Sequence, residues 1–510
     1  MKKKFYVTTT LPYVNDAPHI GFALEIIQAD VIARYQWLSG KDVFFNTGTD
    51  EHGLKIYRRA LEEKKEPQDY VDEYAAKFDR LKKALDLSYD SFIRTTDKHH
   101  KEAAQEFWRR CDKNGDIYKK DYKIKYCVGC ELEKTDSELK KERCPLHPNQ
   151  KLEIIEEENY FFRFSKYQKK LLKLYENKEF VVPEYRLKEI RKFVEKGLED
   201  FSISRLKSKM PWGVDVPGDP DQIMYVWFDA LVNYISATGW PEKEDFGGFW
   251  PGIQIAGKDN LRQQAAIWQA MLMSAGLPNS KQILIHGFMT KDGKKISKSL
   301  GNIVDPIALS KKYGTEAVRY YLLAKVHPFN DSDFTIKLFE ETYNADLANG
   351  LGNLVARVLT MTEKFCKGKV PKIDKVADTH PLRVGKNMYT WKDSWQAIDK
   401  FVLVYEYHKA LDGIWRFIHT ADKYIDENKP WELVKENKQE EINWVIYGLL
   451  DSLHQLAWQV RVFLPETSTK MAEALSLEKL LKKQPDNKDS WTNIKQGVKI
   501  KKIKPLFPRL

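Results

Sequence analysis

The stretch FYVTTTLPYVNDAPHIGFALEIIQADVIARYQW, residues 5–37, decides the predicted fold class. Its first five residues are β-prone, and a turn-rich segment containing Pro, Asn and Asp follows them. Apolar residues then recur with helical spacing until Gly40, which ends the predicted helix. Residues 43–47 supply the next strand, so the first fifty residues are predicted to form one βαβ unit.

A second βαβ unit lies far along the chain. It has a strand at 253–257, a helix that passes Trp268 and Met271, and a strand at 283–285. Two separated units indicate one Rossmann-like parallel sheet that is split by an insertion. We therefore predict an α/β fold in which the sheet domain occupies 1–118 and 223–333 and the connective insertion occupies 119–222.

Beyond residue 334 the pattern becomes helical. Five apolar residues share one helical face: Leu347, Leu351, Leu354, Val355 and Val358. We predict an all-α bundle at 334–510. The apolar stretch 444–463 is interrupted by Asp451, His454 and Arg461, which favours a buried helix over a membrane span.

Composition limits the class of protein. The chain has 510 residues, enough for about three or four domains, and 42% of them are hydrophobic. The 84 basic and 73 acidic residues give a net charge of +11. This charge either favours a polyanionic partner or reflects a lysine-rich composition alone. The basic tail from Lys495 is either a solvated end or an RNA contact. Five cysteines, without a signal peptide pattern, indicate a cytoplasmic protein with no membrane partner.

Two short motifs suit nucleotide phosphates. His19-Ile20-Gly21 lies where the first strand gives way to a helix, whose free N-terminal amides attract anions. Lys295-Ile296-Ser297-Lys298-Ser299 follows the second βαβ unit, and its two lysines suit a pyrophosphate leaving group. Each motif alone is a weak signal, but their positions in two halves of one sheet are much less expected by chance.

The motifs together resemble those of the class I aminoacyl-tRNA synthetases, and most closely the methionyl-tRNA synthetase family. Four further segments share the resemblance: Leu11–Asn15, Thr47–Gly53, Tyr225–Ala230 and Gly257–Asp259. The similarity extends from Tyr6 to about Glu466. It implies an enzyme that forms methionyl-adenylate from L-methionine and ATP and then charges tRNA(Met). Because no dimerising OB-type domain follows the bundle, a monomer is expected.

The resemblance also implies site residues. ATP, accompanied by Mg²⁺, would bind His19, Gly21, Lys295, Ser297, Lys298 and Ser299, with His19, Gly21, Lys295 and Lys298 acting in catalysis. Asp50 would bind the methionine ammonium group. The other predicted methionine-binding residues are Leu11, Tyr13, Trp227, Ala230, Tyr234, Asn260 and Gln264. Aromatic faces suit an unbranched thioether, which needs little polar contact.

A metal site is predicted inside the insertion. Cys127-Val128-Gly129-Cys130 and Cys144-Pro145-Leu146-His147 form two short ligand pairs separated by a small loop. This spacing is typical of a structural zinc knuckle with Cys127, Cys130, Cys144 and His147 as ligands. The resemblance agrees, because many members of the family carry such a knuckle.

The helical region is implied to bind the CAU anticodon. Asn353 and Arg357, one helical turn apart, would hydrogen-bond base edges, and Trp431 would stack on a base. Without the resemblance, all three would be interpreted as packing or surface residues.

Three positions depart from the family pattern. Phe22 stands where the first motif normally ends in a second histidine, and Phe22 cannot donate a hydrogen bond. Asn260 replaces an aliphatic residue, and Gln264 replaces a histidine, although the Gln264 amide can still donate to sulfur. These changes motivate an alternative, a tRNA-binding paralogue with weakened catalysis. Synthetases for leucine, isoleucine or valine are disfavoured because the insertion is too short for an editing domain.

Overall fold

The computed structural model describes residues 2–130, 132–134, 138–140, 142–243, 245–296, 301–374, 381–477, 484 and 493–510. The first part of the chain alternates strands and helices: β1 (Lys4–Thr9), α1 (Ile20–Leu38), β2 (Asp42–Thr49), α2 (Leu54–Glu62), α3 (Pro67–Asp79), α4 (Leu81–Ala84), β3 (Ser91–Arg94) and α5 (Lys98–Lys113).

The next segment contains mostly short strands: β4 (Ile117–Cys127), β5 (Leu132–Lys134), β6 (Glu153–Phe162), α6 (Gln168–Leu174), β7 (Val181–Val182), α7 (Glu184–Glu195), β8 (Phe201–Ser202), β9 (Ser204–Leu206), β10 (Asp215–Val216) and β11 (Asp219–Met224). Strands β4, β5, β6 and β8 form one antiparallel sheet.

The sheet domain then resumes with α8 (Val226–Ala230), α9 (Asn233–Ser236), β12 (Ile253–Gly257), α10 (Trp268–Ser274), β13 (Gln282–His286), β14 (Met289–Lys291), β15 (Lys294–Lys295), α11 (Pro306–Tyr313), α12 (Thr315–Ala324) and β16 (Ser332–Phe334). Turns of 3-10 helix occur at Phe164–Tyr167, Phe246–Gly248 and Lys258–Asn260, and a π-helical turn, Gln263–Ile267, precedes α10.

The last part is a helical bundle with one small hairpin. A π-helical segment, Tyr343–Gly352, joins its first two helices. The elements are α13 (Ile336–Thr342), α14 (Asn353–Cys366), β17 (Leu382–Val384), β18 (Asn387–Tyr389), α15 (Trp391–Val402), α16 (Tyr407–Asn428), α17 (Pro430–Lys435), α18 (Gln439–Val460) and α19 (Pro465–Ala474).

The central sheet has six parallel strands in the order β3-β2-β1-β12-β13-β7. Val7 of β1 lies opposite Phe45 of β2 on one side and Ile253 of β12 on the other. The predicted α/β fold with a split parallel sheet is therefore confirmed. Strand β7 was not predicted, since a two-residue strand has no readable periodicity, and it brings part of the predicted insertion to the sheet edge.

Helix α1 lies across the sheet and positions the first nucleotide motif. It is buried on nearly all sides, because one large apolar core contains both α1 and residues of the helical bundle, such as Ile446 and Leu450. The helix ends before Gly40, whose φ of +85° favours glycine. Helix α18 confirms the buried helix predicted at 444–463. Among the described residues, no helix combines the length and apolar character that crossing a membrane requires.

Candidate active site and metal cluster

His19 and Gly21 form a compact N-terminal cap on α1. His19 is the N-cap residue, and its Nδ1 accepts a hydrogen bond from the Gly21 amide at 3.1 Å. In the neutral ring the proton is therefore on Nε2, which is the donor left for a ligand. A Cβ atom on residue 21 would lie 2.9 Å from His19 Cε1, so Gly21 is required for this ring position.

The chain ends of β1 and β2 bring Asp50 beside Tyr13. The Asp50 amide donates to Pro12 O at 3.0 Å, and the Val14 amide donates to Asp50 O at 3.2 Å. Asp50 is buried, while Leu11 and Tyr13 are partly exposed. This arrangement follows from the parallel sheet, since the carboxyl ends of neighbouring strands share one edge.

Three of the predicted methionine-binding residues lie on the short helices α8 and α9. Trp227 packs edge-on against the Tyr13 ring, with ring centroids 6.3 Å apart. Ala230 and Tyr234 are buried. The structure thus joins Tyr13 and Trp227, which are more than two hundred residues apart in sequence.

A buried charge network holds α8 in place. Asp229 Oδ2 lies 2.7 Å from His52 Nδ1, and Asp229 Oδ1 lies 2.9 Å from His100 Nε2. Burial alone would raise the pKa of Asp229, but the two histidines lower it to about 2. Sequence reasoning gave these three residues no role. Two signals were available: His52 and Asp229 lie within segments that carry the family resemblance, and Asp229 is a charged residue between the apolar Phe228 and Ala230.

Gln264 is bonded to neighbouring side chains in a way that the sequence did not predict. Its Nε2 donates to the Tyr234 hydroxyl at 2.7 Å, and its Oε1 accepts from Gln254 Nε2 at 3.1 Å. Burial raises the pKa of Tyr234 well above its usual range, so the phenol stays protonated. Its oxygen accepts from Gln264, and its own proton is available to another acceptor. Asn260 is partly buried in the turn after β12.

A second network at the edge of the sheet was also missed. Glu25 of α1 accepts from the Thr10 amide at 2.8 Å and pairs with His286 Nε2 at 2.8 Å. His286 Nδ1 faces the Gly287 carbonyl at 2.7 Å, so both ring nitrogens face acceptors. Burial lowers the pKa of His286, but Glu25 and the carbonyl raise it further, and the net change is upward. The network ties α1 to β1 and β13 next to the first motif.

The second nucleotide motif is described only in part. Lys295 is the last residue of β15, opposite Thr290 of β14. Ser297, Lys298 and Ser299 lie outside the described residues. The predicted contacts of this motif with phosphates stay predictions.

The four predicted metal ligands meet at one point. Cys127, Cys130, Cys144 and His147 place their ligand atoms within 4.8 Å of one another. Cys130 Sγ lies 3.4 Å from Cys144 Sγ and 3.1 Å from His147 Nδ1, and Cys127 Sγ lies 3.7 Å from His147 Nδ1. Ligands about 2.0–2.3 Å from a tetrahedral zinc ion are roughly 3.3–3.8 Å apart. Two of the three distances lie in this range and the third is slightly shorter, so the four residues fit a zinc ion.

Comparison with known proteins agrees with this geometry. Residues 5–153 and 133–359 match the family model of class I tRNA synthetases (M). The methionine–tRNA ligase of Thermotoga maritima is 41% identical over 515 residues, which cover 99% of this chain and 80% of that protein. The methionine–tRNA ligase of Nostoc sp. is 40% identical, over 100% of this chain and 98% of the relative. The chain belongs to the methionyl-tRNA synthetase family of class I.

A solved structure of this family has the same fold. Mycobacterium tuberculosis methionyl-tRNA synthetase in complex with methionyl-adenylate superposes with a TM-score of 0.92 and is 37% identical. The match covers 99% of this chain and all of that one. The chain is thus a synthetase with the split sheet, cysteine cluster and helical bundle that the sequence predicted.

The synthetase's helical bundle carries the predicted anticodon residues on two helices. Asn353 is exposed at the start of α14, and Trp431, which is 40% exposed, lies on α17. Both helices pack on α18. Arg357 forms ion pairs with Asp422 at 2.8 Å and Asp426 at 2.6 Å, both on α16. These acidic partners hold the guanidinium and were not found from the sequence.

Phe22 directly follows the first motif of the synthetase, and its side chain packs against the large apolar core. Its ring meets Phe78 of α3 edge-on, with centroids 5.4 Å apart, at the border of the large core. The side chain is partly exposed. Phe22 therefore contributes an aromatic pair at the border of the core.

Proposed function

We propose that this chain activates L-methionine with ATP and transfers the methionyl group to the 3′ end of tRNA(Met). The observation that carries the proposal is the joining of Tyr13 and Trp227 beside Asp50 at the carboxyl edge of the sheet, next to the cap formed by His19 and Gly21. Membership of the methionyl-tRNA synthetase family supports the same reaction.

The first chemical step needs no protein nucleophile. A methionine carboxylate oxygen attacks the α-phosphorus of ATP, the bond to the bridging oxygen breaks, and pyrophosphate leaves. Charge moves onto the departing phosphates, so positioned donors lower the barrier. His19 Nε2–H donates to a phosphate oxygen, while Gly21 lets the backbone approach the nucleotide. The pyrophosphate is neutralised by Lys295 and Lys298 and accepts hydrogen bonds from Ser297 and Ser299. Mg²⁺ enters with ATP as part of the substrate.

Methionine binding divides into a charged end and an apolar end. The Asp50 carboxylate accepts from the α-ammonium group, which distinguishes an amino acid from other apolar ligands. Leu11, Tyr13, Trp227 and Ala230 surround the thioether. Gln264 acts through Tyr234: its amide donates to the phenol oxygen, which directs the phenol proton toward the sulfur. Asn260 lines the same pocket.

The cysteine cluster would hold a structural Zn²⁺ through Cys127, Cys130, Cys144 and His147. When bound, the ion would cross-link the loop between β4 and β6, which contains the three-residue strand β5 among its described elements. We expect chelation to unfold this loop while the parallel sheet remains. The loss of one zinc per chain, measured by a colorimetric chelator, tests the assignment.

The helical region at 334–510 would read the anticodon. Trp431 offers an exposed ring for base stacking, which is worth about 1–3 kcal/mol per base. Asp422 and Asp426 fix Arg357 so that its remaining N–H groups and Asn353 reach base edges. We expect Trp431→Ala to lower tRNA(Met) affinity about tenfold without changing methionine activation.

Three domains in four segments follow from this assignment: the catalytic domain in two halves, 1–118 and 223–333, the insertion at 119–222 and the anticodon domain at 334–510. We propose a monomer in the cytoplasm, where a reducing environment keeps the zinc-ligating thiols available. Light scattering on the purified chain tests the monomer.

Pyrophosphate exchange into ATP tests the activity. We expect exchange with methionine in preference to leucine, isoleucine, valine or cysteine. A preference for another amino acid would contradict the assigned pocket. Retained tRNA binding without any exchange would instead support the paralogue that the Phe22 substitution suggests.

A further inference from the structure

The C-terminal segment, residues 493–510, is attached to the helical bundle along its length. The Ile494 amide donates to Asp451 at 2.8 Å, and Ile500 N donates to Gly368 O at 2.9 Å. Further along, Tyr343 OH donates to Pro508 O at 2.8 Å. The backbone of this segment is therefore held against the bundle.

The attached segment presents lysines to solvent. Residues 498–500 alternate, with Val498 and Ile500 turned toward the bundle and Lys499 exposed. Lys502 and Lys504 are also exposed. The segment has no acidic residue, and its basic residues are Lys495, Lys499, Lys501, Lys502, Lys504 and Arg509. Within the described part of the chain, no carboxylate forms an ion pair with Lys499, Lys502 or Lys504.

The surface continues onto the turn that follows α14. An antiparallel bridge sets Lys499 directly opposite Lys369, and Lys367 is exposed nearby. Like charges directly opposite each other destabilise a pairing unless an anion lies between them. We name five of the exposed lysines of this surface the basic seam: Lys367, Lys369, Lys499, Lys502 and Lys504.

The basic seam lies beside the proposed anticodon-reading face. One groove is lined by residues 500–506 on one side and by Gly352 and α14 on the other. The polar residues that α14 contributes to it are Thr360, Lys364 and one acid, Glu363. Asn353 and Arg357 lie on the neighbouring stripe of α14, about 60–100° around the helix from Ala356. A nucleic acid whose bases reach Asn353 and Arg357 would therefore pass its backbone over the seam.

We propose that the basic seam binds the phosphate backbone of the tRNA next to the anticodon. The inference rests on the proposed function, since it places the same partner on a further surface. Phosphate contacts fix position and carry no sequence information, so the seam contributes affinity to any tRNA. Each phosphate that a lysine neutralises steepens the salt dependence of binding, by about 0.7–0.9 in the slope of log K against log salt.

The test compares three triple variants of the full chain. In the seam variant Lys499, Lys502 and Lys504 are changed to Gln, and in the rescue variant the same three are changed to Arg. The control variant changes Lys83, Lys113 and Lys178, exposed lysines of the catalytic half and insertion, to Gln. Binding of tRNA(Met) and of an unrelated tRNA is measured by fluorescence anisotropy across a salt series.

We expect the seam variant to bind both tRNAs about tenfold more weakly, with a salt slope shallower by about 2. The rescue and control variants should bind like wild type, and methionine-dependent pyrophosphate exchange should be unchanged in all three. A seam variant whose affinity and slope equal those of the control overturns the proposal. A loss confined to tRNA(Met) also overturns it, because that result indicates base reading.

Two further outcomes distinguish this proposal from the proposed function and from binding to a membrane. Wild-type protein that binds tRNA through the seam yet shows no methionine-dependent exchange would contradict the proposed function and leave the seam supported. The seam variant could instead lose binding to phosphatidylserine vesicles and keep its affinity for tRNA. That result would identify a membrane surface as the partner of the seam and would overturn the proposal.

Discussion

Two networks of buried polar groups in the catalytic half differ from two buried polar residues in the helical bundle in whether their groups have hydrogen-bond partners. Around the parallel sheet they lie in networks: Asp229 with His52 and His100, and Glu25 with His286. In α18 the ring nitrogens of His454 and the amide of Gln455 are buried without a hydrogen-bond partner among the described residues. The two networks of the catalytic half hold their polar groups in fixed geometry, while His454 and Gln455 of the bundle are unsatisfied groups that cost stability.

The difference reflects what each region has to do. A site that moves charge during reaction needs groups already held in place, and paired carboxylates and histidines provide this. A bundle that presents an outer face for binding needs only its surface residues positioned. Its interior therefore tolerates groups whose only effect is on stability. This contrast leads to four predictions, in order of decreasing effect.

Asp30→Asn should destabilise the chain most. Asp30 accepts from Arg319 and Arg34, each at 2.7 Å, and both Asp30 and Arg319 are fully buried. Removing the carboxylate charge leaves the Arg319 guanidinium buried and uncompensated, which costs about 3–5 kcal/mol. Urea unfolding followed by circular dichroism measures the change.

The matched control for this prediction is Glu153→Gln, which removes the partner of Arg58 in an exposed ion pair. Such pairs contribute about 0–1 kcal/mol. If Asp30→Asn loses as little stability as Glu153→Gln, the buried pair of Asp30 and Arg319 does not stabilise the fold as its burial predicts.

His454→Leu should change how stability depends on pH. Burial lowers the pKa of His454 to about 4. The unfolded chain, whose histidine pKa is about 6.5, then binds more protons, so stability is complete above pH 6.5 and is lost as the pH falls toward 4. Relative to the leucine variant, wild type should lose about 2 kcal/mol between pH 7 and pH 5.

The neighbouring Asp451 makes the comparison between variants necessary. Burial raises its pKa to about 6, so its contribution has the opposite sign and falls as pH rises from about 4 to 6. Subtracting the two unfolding curves cancels this contribution. A difference that is constant with pH would show that His454 is charged or paired in the folded chain.

Gln455→Met should stabilise the bundle. The Gln455 amide is buried without partners among the described residues, and an unsatisfied polar group costs about 1–3 kcal/mol. Gln459→Met on the same helix is the control, because Gln459 accepts from Ser394 Oγ at 2.9 Å and donates to Trp391 O at 3.0 Å. We expect a gain of about 1 kcal/mol for the first and a loss of similar size for the second. Equal changes in stability for the two variants would contradict the difference in hydrogen bonding between Gln455 and Gln459.

Phe22→His should have a small effect on stability and a measurable one on activity. Losing the edge-on contact with Phe78 costs about 1 kcal/mol. A donor beside the nucleotide should raise the rate of methionine-dependent pyrophosphate exchange several-fold, up to about tenfold. Phe22→Leu, which also removes the contact, controls for packing. An unchanged or lower rate in the histidine variant would show that the site has adapted to phenylalanine.

Local patterns predicted the elements that bear the site. The β-prone run at 5–9 became β1, the helical pattern before Gly40 became α1, and the four metal ligands meet as their spacing predicted. The pairs Cys127–Cys130 and Cys144–His147 are close in sequence, so short turns decide their geometry. The family resemblance added Asp50, Trp227 and Tyr234, which have no local signature of binding.

Residues that act through distant partners could not be predicted. His100 reaches Asp229 across 129 positions, and Arg357 reaches Asp422 across 65. A charged residue in a helix pattern is equally compatible with a solvated face. The pairing of strand β7 with β13 and the bridge between Lys499 and Lys369 were missed for the same reason, since each joins remote segments.

The sequence by itself determined the split parallel sheet, the cysteine cluster, the helical bundle and the family, because periodicity, spacing and motifs are local properties. Only the tertiary structure decided which buried charges are paired, how Gln264 is used and where the basic tail lies. These three features depend on contacts between segments that are far apart in sequence. The interaction energies depend on burial and on distance, which cannot be obtained from the order of residues alone.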